Sequence, residues 1–125
     1  MSESTNNVAV LVVEDEILIR MAIADSIADA GFVVYEAANA DQAILILEAH
    51  PDVRALFTDI DMPGSMDGLK LAAAVRDRWP PVKIIITSGH VKIRPEDLPV
   101  DGKFFAKPYD ASKVVSTLRS LVEAA

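Results

Sequence analysis

The stretch VAVLVVEDE, residues Val8 to Glu16, sets the direction of the fold. Its first six residues form an unbroken apolar, mostly β-branched run, which is typical of a strand buried on both faces. Strands of this kind occur in parallel sheets that are covered by helices on each side. The run ends abruptly in Glu14, Asp15 and Glu16. The stretch therefore predicts a layered α/β fold with acidic residues at one edge of its sheet.

The alternation of apolar strands and amphipathic helices continues along the chain. In the first helix, apolar residues recur at helical spacing at Ile17, Met21, Ala24, Ile27 and Ala28, and we expect these to face the core. Gly31 then stands where a helix C-terminus favours glycine. Strands are predicted at residues 8–13, 32–37, 55–58, 83–88 and 103–106, and helices at 17–30, 39–49, 67–79 and from 110 onward.

Strands that alternate with helices specify parallel pairing through right-handed crossovers. The prediction is an α/β fold with three layers, flavodoxin-like, in which five parallel strands take the order 2-1-3-4-5 with helices on both faces. Residues 90–102 carry Pro95 and Pro99 and few periodic apolar residues, so the fourth helix should be short or irregular. We expect residues 1–7 to form a disordered polar tail and residues 8–125 to form one domain.

The composition excludes several classes of function. The chain has 125 residues and a net charge of −7 without a basic run, so direct nucleic-acid binding is not expected. It has no cysteine, which excludes disulfides, thiolate nucleophiles and cysteine-type zinc sites. The N-terminus lacks the order of a signal peptide, and no apolar run approaches the roughly 20 residues of a membrane span. These features favour a cytoplasmic protein.

Polar side chains follow the predicted strands at their carboxyl ends, where open parallel sheets bind ligands. They are Glu14, Asp15, Asp59, Thr87 and Lys107. Carboxylates packed together resist ionisation unless a cation joins them, and Mg²⁺ prefers carboxylate oxygens and water. Beside such a metal, ionised Asp59 is a candidate nucleophile for a phosphoryl group. Thr87 and Lys107 are candidates to bind the transferred oxygens.

Four motifs together resemble the receiver domain of two-component response regulators, over nearly the whole chain. They are LVVEDE, LFTDIDMPG, IIITSG and FFAKPY, at residues 11–16, 56–64, 84–89 and 104–109. The resemblance implies a CheY-like phosphorelay module that takes a phosphoryl group onto Asp59 and signals by conformational change. It implies self-catalysed phosphorylation and dephosphorylation only, without other enzyme activity. The implied partners are a sensor histidine kinase or histidine phosphotransfer protein and an unknown downstream protein, with the module a monomer or weak dimer.

The resemblance also implies how Mg²⁺ is held. Asp15 and Asp59 would bind the metal, Glu14 would bind it through water, and Asp61 would offer its backbone carbonyl. The segment MPGSMDG, residues 62–68, is one residue longer than the usual spacing in this family, so the loop beside the acceptor is expected to differ in shape.

Further implied roles concern the switch that follows phosphorylation. Thr87 would bind a phosphoryl oxygen on activation, and Lys107 would contact the same group. The bond between Lys107 and Pro108 would be a cis peptide. Phe104 falls where the family keeps a rotating aromatic residue.

Other interpretations stay open. The pair Asp59 and Asp61 superficially matches the Asp-x-Asp motif of aspartyl-phosphate phosphohydrolases, although Pro63 follows where Thr or Val is usual and the pair lies on the third strand instead of the first. A phosphorylation-independent pseudo-receiver is a further alternative, disfavoured because every expected site position is filled. Asp15 alone could instead cap the first helix. The chain is either a stand-alone regulator or a receiver cut from a longer protein.

Overall fold

The computed structural model describes residues 8–61, 67–89 and 102–123. In this part of the chain, five parallel strands form one sheet in the order β2-β1-β3-β4-β5. The strands are β1 Ala9–Val13, β2 Val33–Ala37, β3 Val53–Asp59, β4 Lys83–Ser88 and β5 Lys103–Ala106. The described helices are α1 Ile17–Asp29, α2 Ala40–Ala49, α3 Gly68–Arg78 and α4 Ala111–Glu123.

The strand pairing confirms the predicted order, and two cores on opposite faces of the sheet confirm the predicted three-layer fold. Val10 and Val12 of β1 belong to one core with residues of α1 and α4, while Leu11 belongs to the other core with residues of α2 and α3. All five residues of β1 are fully buried. The doubly apolar pattern of this strand is therefore explained by helices on both of its faces.

The predicted core face of α1 is partly wrong. Ile17 is 57% exposed and Met21 is 49% exposed, whereas Ile23, Ala24 and Ile27 are buried. The buried stripe passes instead through Arg20, whose side chain is only 17% exposed. The helix is rotated relative to the prediction, so that Ile23 and Ile27 pack with β1 and Arg20 reaches hydrogen-bond partners after β1 and on β2, contacts that no apolar pattern encodes.

Local signals fix the ends of several elements. Asn39 caps α2 by accepting a hydrogen bond from the Gln42 N–H, and Asp67 caps α3 in the same way. Gly31 has a φ of 102° and ends α1 in the left-handed conformation that favours glycine. None of the described helices is long and apolar enough to cross a membrane.

Three predictions from the sequence concern segments outside the described residues. The disordered tail at residues 1–7 lies outside the described residues, and so does the lengthened part of the loop at residues 62–66. The short or irregular fourth helix, expected within residues 90–102, also lies outside them except for Gly102.

Candidate functional site

A cleft opens at the carboxyl edge of the sheet, where the predicted site residues meet. Glu14 follows β1, Asp59 is the last residue of β3, and Lys107 directly follows β5. Because the strands are parallel, their carboxyl ends lie at the same edge. The cleft has a volume of about 400 Å³ and is lined by Glu14, Asp15, Glu16, Ile19, Asp59, Asp61, Gly89 and Lys107.

Lys107 joins two buried carboxylates at the bottom of this cleft. Its Nζ donates to Glu14 Oε1 at 2.7 Å and to Asp59 Oδ2 at 3.0 Å. The side chains of Glu14 and Asp59 are only 2% and 3% exposed, while that of Lys107 is 20% exposed. Two acids at the end of a buried sheet are thus held by one ammonium group, which compensates for the water they lose.

The pKa shifts follow from burial and from this pairing. Burial raises the pKa of Glu14, although the hydrogen bonds from Lys107 and from the Glu16 N–H act in the opposite direction. Burial alone would lower the pKa of Lys107, but its hydrogen bonds to Glu14 and Asp59 outweigh burial and raise that pKa. Lys107 is therefore an ammonium ion at neutral pH.

The donor set fits a hard divalent cation. Glu14, Asp15 and Asp59 each offer one carboxylate oxygen, and these oxygens all lie within 4.8 Å of one another. Oxygen ligands of this kind, with room for water, are what Mg²⁺ requires. Two of the three carboxylates now bind Lys107, so Lys107 supplies the positive charge that a metal would share.

Asp15 is exposed at this cleft, and it does not cap α1. The N-cap residue of α1 is Glu16, and its side chain makes no cap hydrogen bond. Instead, Glu14 Oε2 accepts a hydrogen bond from the Glu16 N–H at 3.1 Å. The helix-cap interpretation of Asp15 is therefore wrong, and its carboxylate remains in the acidic group.

Thr87 lies beside the acidic group and carries an unsatisfied hydroxyl. It is paired in register with Asp59 across β3 and β4, so the two side chains project from the same face of the sheet. Thr87 is fully buried, and its Oγ1 has no hydrogen-bond partner among the described residues. A buried hydroxyl without a partner costs roughly 1–3 kcal/mol. An incoming polar group would recover that cost.

Asp61 makes contacts beyond its predicted backbone role. Its N–H donates to Asp59 Oδ1 at 3.3 Å, and its Oδ2 accepts a hydrogen bond from Ser88 Oγ at 3.1 Å. These contacts tie the segment after β3 to the end of β4. The Ser88 contact could not be foreseen, since it depends on the register that places Ser88 next to the end of β3.

Besides Thr87 on β4, the residues expected to act in the switch lie on β5 and just after it. Phe104 is half-buried and packs against the core formed with α2 and α3. The peptide bond between Lys107 and Pro108 is cis, the form that the family resemblance implies. Tyr109 follows, and its ring packs edge-on against Phe57 with centroids 5.5 Å apart. Burial and the charge of Glu14 raise the pKa of Tyr109 to about 12.

Two residues that support the site were missed by the sequence analysis. Gly68 begins α3 so close to β3 that an added Cβ would lie 2.1 Å from the Asp59 carbonyl oxygen. Arg20 donates through Nη1 to the Glu14 carbonyl oxygen at 2.9 Å. The signal for Gly68 is a glycine in the first turn of a helix, where helix propensity disfavours it. The signal for Arg20 is its place in a stripe with Ile23 and Ile27.

Comparison with known proteins places this geometry in a family. The family described as response regulator receiver domain matches residues 10–119. A sensor kinase CckA from Brucella abortus is 31% identical over 126 residues, which are 98% of this chain and 13% of that protein. A putative NtrX-like response regulator from Rickettsia felis is 36% identical over 118 residues, covering 91% of this chain and 25% of that protein.

Solved structures agree with these relatives. A response regulator receiver protein from Sinorhizobium medicae superposes with a TM-score of 0.86 at 25% identity, over 94% of this chain and 95% of that one. The receiver domain of NtrX from Brucella abortus gives a TM-score of 0.81 at 27% identity, over 93% and 99%. The chain spans 13% and 25% of the length of the two curated relatives, so the match concerns only a part of each. This chain therefore belongs to the response regulator receiver domain family.

Proposed function

We propose that this receiver domain takes a phosphoryl group onto Asp59, with Mg²⁺ bound beside it, and passes a signal on through protein contacts. The observation that carries the proposal is the ion triad of Glu14, Asp59 and Lys107, which lies in a cleft open to Asp15. A structural ion pair needs no such opening. A site that receives an anionic group needs both an open cleft and positive charge within it.

The chemistry is a transfer between two nucleophiles. A carboxylate oxygen of Asp59 forms a bond to phosphorus while the P–N bond of a donor phosphohistidine breaks and its electron pair leaves with the imidazole. Mg²⁺ held by Asp15 and Asp59, and by Glu14 through water, would supply positive charge that offsets the charges of acceptor and phosphoryl oxygens. Lys107 gives up its hydrogen bond to Asp59 Oδ2 and donates to a phosphoryl oxygen.

Thr87 and Phe104 convert the modification into a conformational change. The buried hydroxyl of Thr87, which has no partner in the described part of the chain, donates to a phosphoryl oxygen, and this draws the end of β4 toward Asp59. Phe104 is paired in register with Ile86, the residue before Thr87, so its packing responds to that movement. The surface around β4 and β5 then differs between the two states, and a downstream protein reads the difference.

The proposed setting is a cytoplasmic two-component or phosphorelay pathway. A sensor histidine kinase or histidine phosphotransfer protein donates the phosphoryl group, and the domain acts as a monomer or weak dimer. It catalyses its own phosphorylation and dephosphorylation, and no other reaction is proposed. The relatives include both a sensor kinase and response regulators, which supports a place in such a pathway.

Fluorine NMR of the protein mixed with Mg²⁺ and beryllofluoride, a mimic of the phosphoryl group, tests the proposal. Wild type should form a stable complex with bound fluorine signals, and Asp59→Asn should not. Asp61→Asn is the matched control, because it removes one carboxylate from the same cleft but keeps the backbone carbonyl. If Asp59→Asn bound beryllofluoride as wild type does, the proposal would be wrong.

The same pair of variants separates the phosphohydrolase alternative. In that mechanism Asp61 acts as a general acid, so turnover of a small phosphate ester should be present in wild type and abolished in Asp61→Asn. We expect no turnover in either protein, since the hydrogen bond from Ser88 Oγ to Asp61 Oδ2 ties this carboxyl group to the end of β4 and away from a leaving group.

A further inference from the structure

Arg20 links the acidic loop to two other elements. It lies on α1, and its Nη1 donates to the Glu14 carbonyl oxygen at 2.9 Å. Its Nε donates to Glu36 Oε1 on β2 at 3.2 Å. The side chain is 17% exposed although it belongs to a surface helix. A guanidinium group with two fixed donors and little exposure is held in one orientation.

The contact with Glu14 completes a set of bonds around this residue. The Glu14 N–H donates to the Ala37 carbonyl at 3.0 Å, and Glu14 Oε1 and Oε2 accept from Lys107 and from the Glu16 N–H. The carbonyl oxygen bound by Arg20 belongs to the peptide group that joins Glu14 to Asp15. That peptide group cannot rotate without breaking a charge-assisted hydrogen bond.

We propose that Arg20 is a positioning residue for the metal site, because it fixes the peptide from which the Asp15 side chain extends into the acidic group. Asp15 is exposed, so solvent-facing loop motion would otherwise carry its carboxylate away from Glu14 and Asp59. The inference rests on the proposed function, since it concerns the same Mg²⁺ site. It assigns to Arg20 a role through backbone geometry and not through contact with the metal.

Charge and geometry make opposite predictions for Arg20. A cation near a metal site weakens metal binding by repulsion, so a purely electrostatic role means that Arg20→Met binds Mg²⁺ more tightly and Arg20→Lys binds it unchanged. A positioning role means that both variants bind Mg²⁺ more weakly, since a lysine ammonium cannot reproduce the two-donor fork. The sign of the change therefore separates the two roles.

Isothermal titration calorimetry with Mg²⁺ alone tests this inference on wild type, Arg20→Met, Arg20→Lys and Arg119→Met. Arg119 is the matched control, because its Nη2 donates to the Ala30 carbonyl oxygen at 3.0 Å at the far end of α1. We expect both Arg20 variants to lose about tenfold in Mg²⁺ affinity, the lower end of the usual range for residues that orient metal ligands. Arg119→Met should stay within about twofold of wild type, because its charge is screened from the site.

Circular dichroism establishes that each variant is folded, and Arg20→Lys carries the test should Arg20→Met not fold. Equal Mg²⁺ affinity in wild type and the Arg20 variants, or tighter binding by Arg20→Met, would overturn the positioning role. An equal loss in Arg119→Met would overturn it too. If wild type binds Mg²⁺ and beryllofluoride while the Arg20 variants match it, only this inference fails. If wild type binds no Mg²⁺, the proposed function fails and the positioning role falls with it.

Discussion

Replacing Lys107 by methionine removes the cation between two buried carboxylates while keeping an apolar side chain of similar length. Glu14 and Asp59, at 2% and 3% exposure, would then face each other without the ammonium group that binds both. Mutual repulsion and lost solvation would act together on the folded state. The variant should therefore be less stable than wild type at neutral pH in the absence of Mg²⁺.

The size of the loss follows from the burial of the triad. Removing one partner of a buried ion pair costs about 3–5 kcal/mol, because the remaining charge is left uncompensated. Lys107 keeps 20% of its side chain exposed, so water can partly replace it. We expect a loss near the lower end, about 3 kcal/mol. That is a large share of the roughly 5–15 kcal/mol stability of an ordinary domain.

Acid and Mg²⁺ should each restore part of this loss. Without Lys107 the pKa of Glu14, already raised by burial, should rise further. A carboxyl group with a raised pKa in the folded state stabilises that state as the pH falls, so the deficit should shrink between pH 7 and about pH 5. Mg²⁺ at roughly 100 times its Kd stabilises the folded state by about 2.7 kcal/mol. At the same Mg²⁺ concentration the variant should gain more than wild type, because the Lys107 ammonium no longer repels the metal.

Urea unfolding, followed by circular dichroism at pH 7 and pH 5 with and without Mg²⁺, measures these free energies. Lys70→Met is the matched control, because Lys70 is exposed on α3 and its loss should change stability by no more than about 0.5 kcal/mol. Equal stability of Lys107→Met and wild type at pH 7 without Mg²⁺ would refute the reasoning. A deficit that neither acid nor Mg²⁺ reduces would also refute it.

Two further predictions concern the walls of the site. Gly68→Ala should lower the free energy of unfolding by about 1–3 kcal/mol or more, because its Cβ would lie 2.1 Å from the Asp59 carbonyl oxygen. Gly89→Ala is the control, since its Cβ would lie 3.5 Å from the nearest atom, which belongs to the Lys107 side chain. Equal urea midpoints for the two variants would contradict the prediction. The variant Tyr35→Phe leaves Tyr109 as the chain's one tyrosine, and its ultraviolet titration should give a pKa of about 12. Because the folded state favours the protonated phenol, the contribution of Tyr109 to the free energy of unfolding should be fully present below about pH 10 and lost as the pH rises through about 12. A midpoint near 10 would contradict it.

Much of the fold and the core of the site could be predicted from the sequence, for a topological reason. An apolar run such as that of β1 requires cover on both faces, which specifies parallel strands and helical crossovers. Parallel strands bring their carboxyl ends to one edge, so residues that end different strands must meet. Glu14, Asp59 and Lys107 come together on this ground alone, although Glu14 and Lys107 are 93 positions apart.

The orientation of α1 could not be predicted in the same way. Apolar residues on this helix allow two overlapping stripes, and Ile17 and Met21 belong to the one that faces solvent. The buried stripe also contains Arg20, whose partners are a carbonyl oxygen after β1 and a carboxylate on β2. Such contacts arise only when the three elements are assembled, so a local pattern does not contain them.

Close contacts between helices and strands could not be predicted from the sequence either. The contact of Ser88 with Asp61 requires the register between β3 and β4, and the need for glycine at position 68 requires the distance between α3 and the end of β3. A sequence states which residue types are present, whereas these constraints depend on separations of a few ångströms. These constraints concern the surroundings of Asp59 and not the prediction of Asp59 itself.

Chemical identification of the modified residue tests the proposed role of Asp59 most directly. The protein is incubated with Mg²⁺ and acetyl phosphate, and borohydride then reduces any acyl phosphate to an alcohol, which converts a phosphorylated aspartate to homoserine. Peptide mass spectrometry locates that conversion. We expect homoserine at position 59 and nowhere else, and none when Mg²⁺ is removed by chelation. Conversion at Asp15 or Asp61, or an unmodified Asp59 in folded protein with Mg²⁺, would contradict the proposed function.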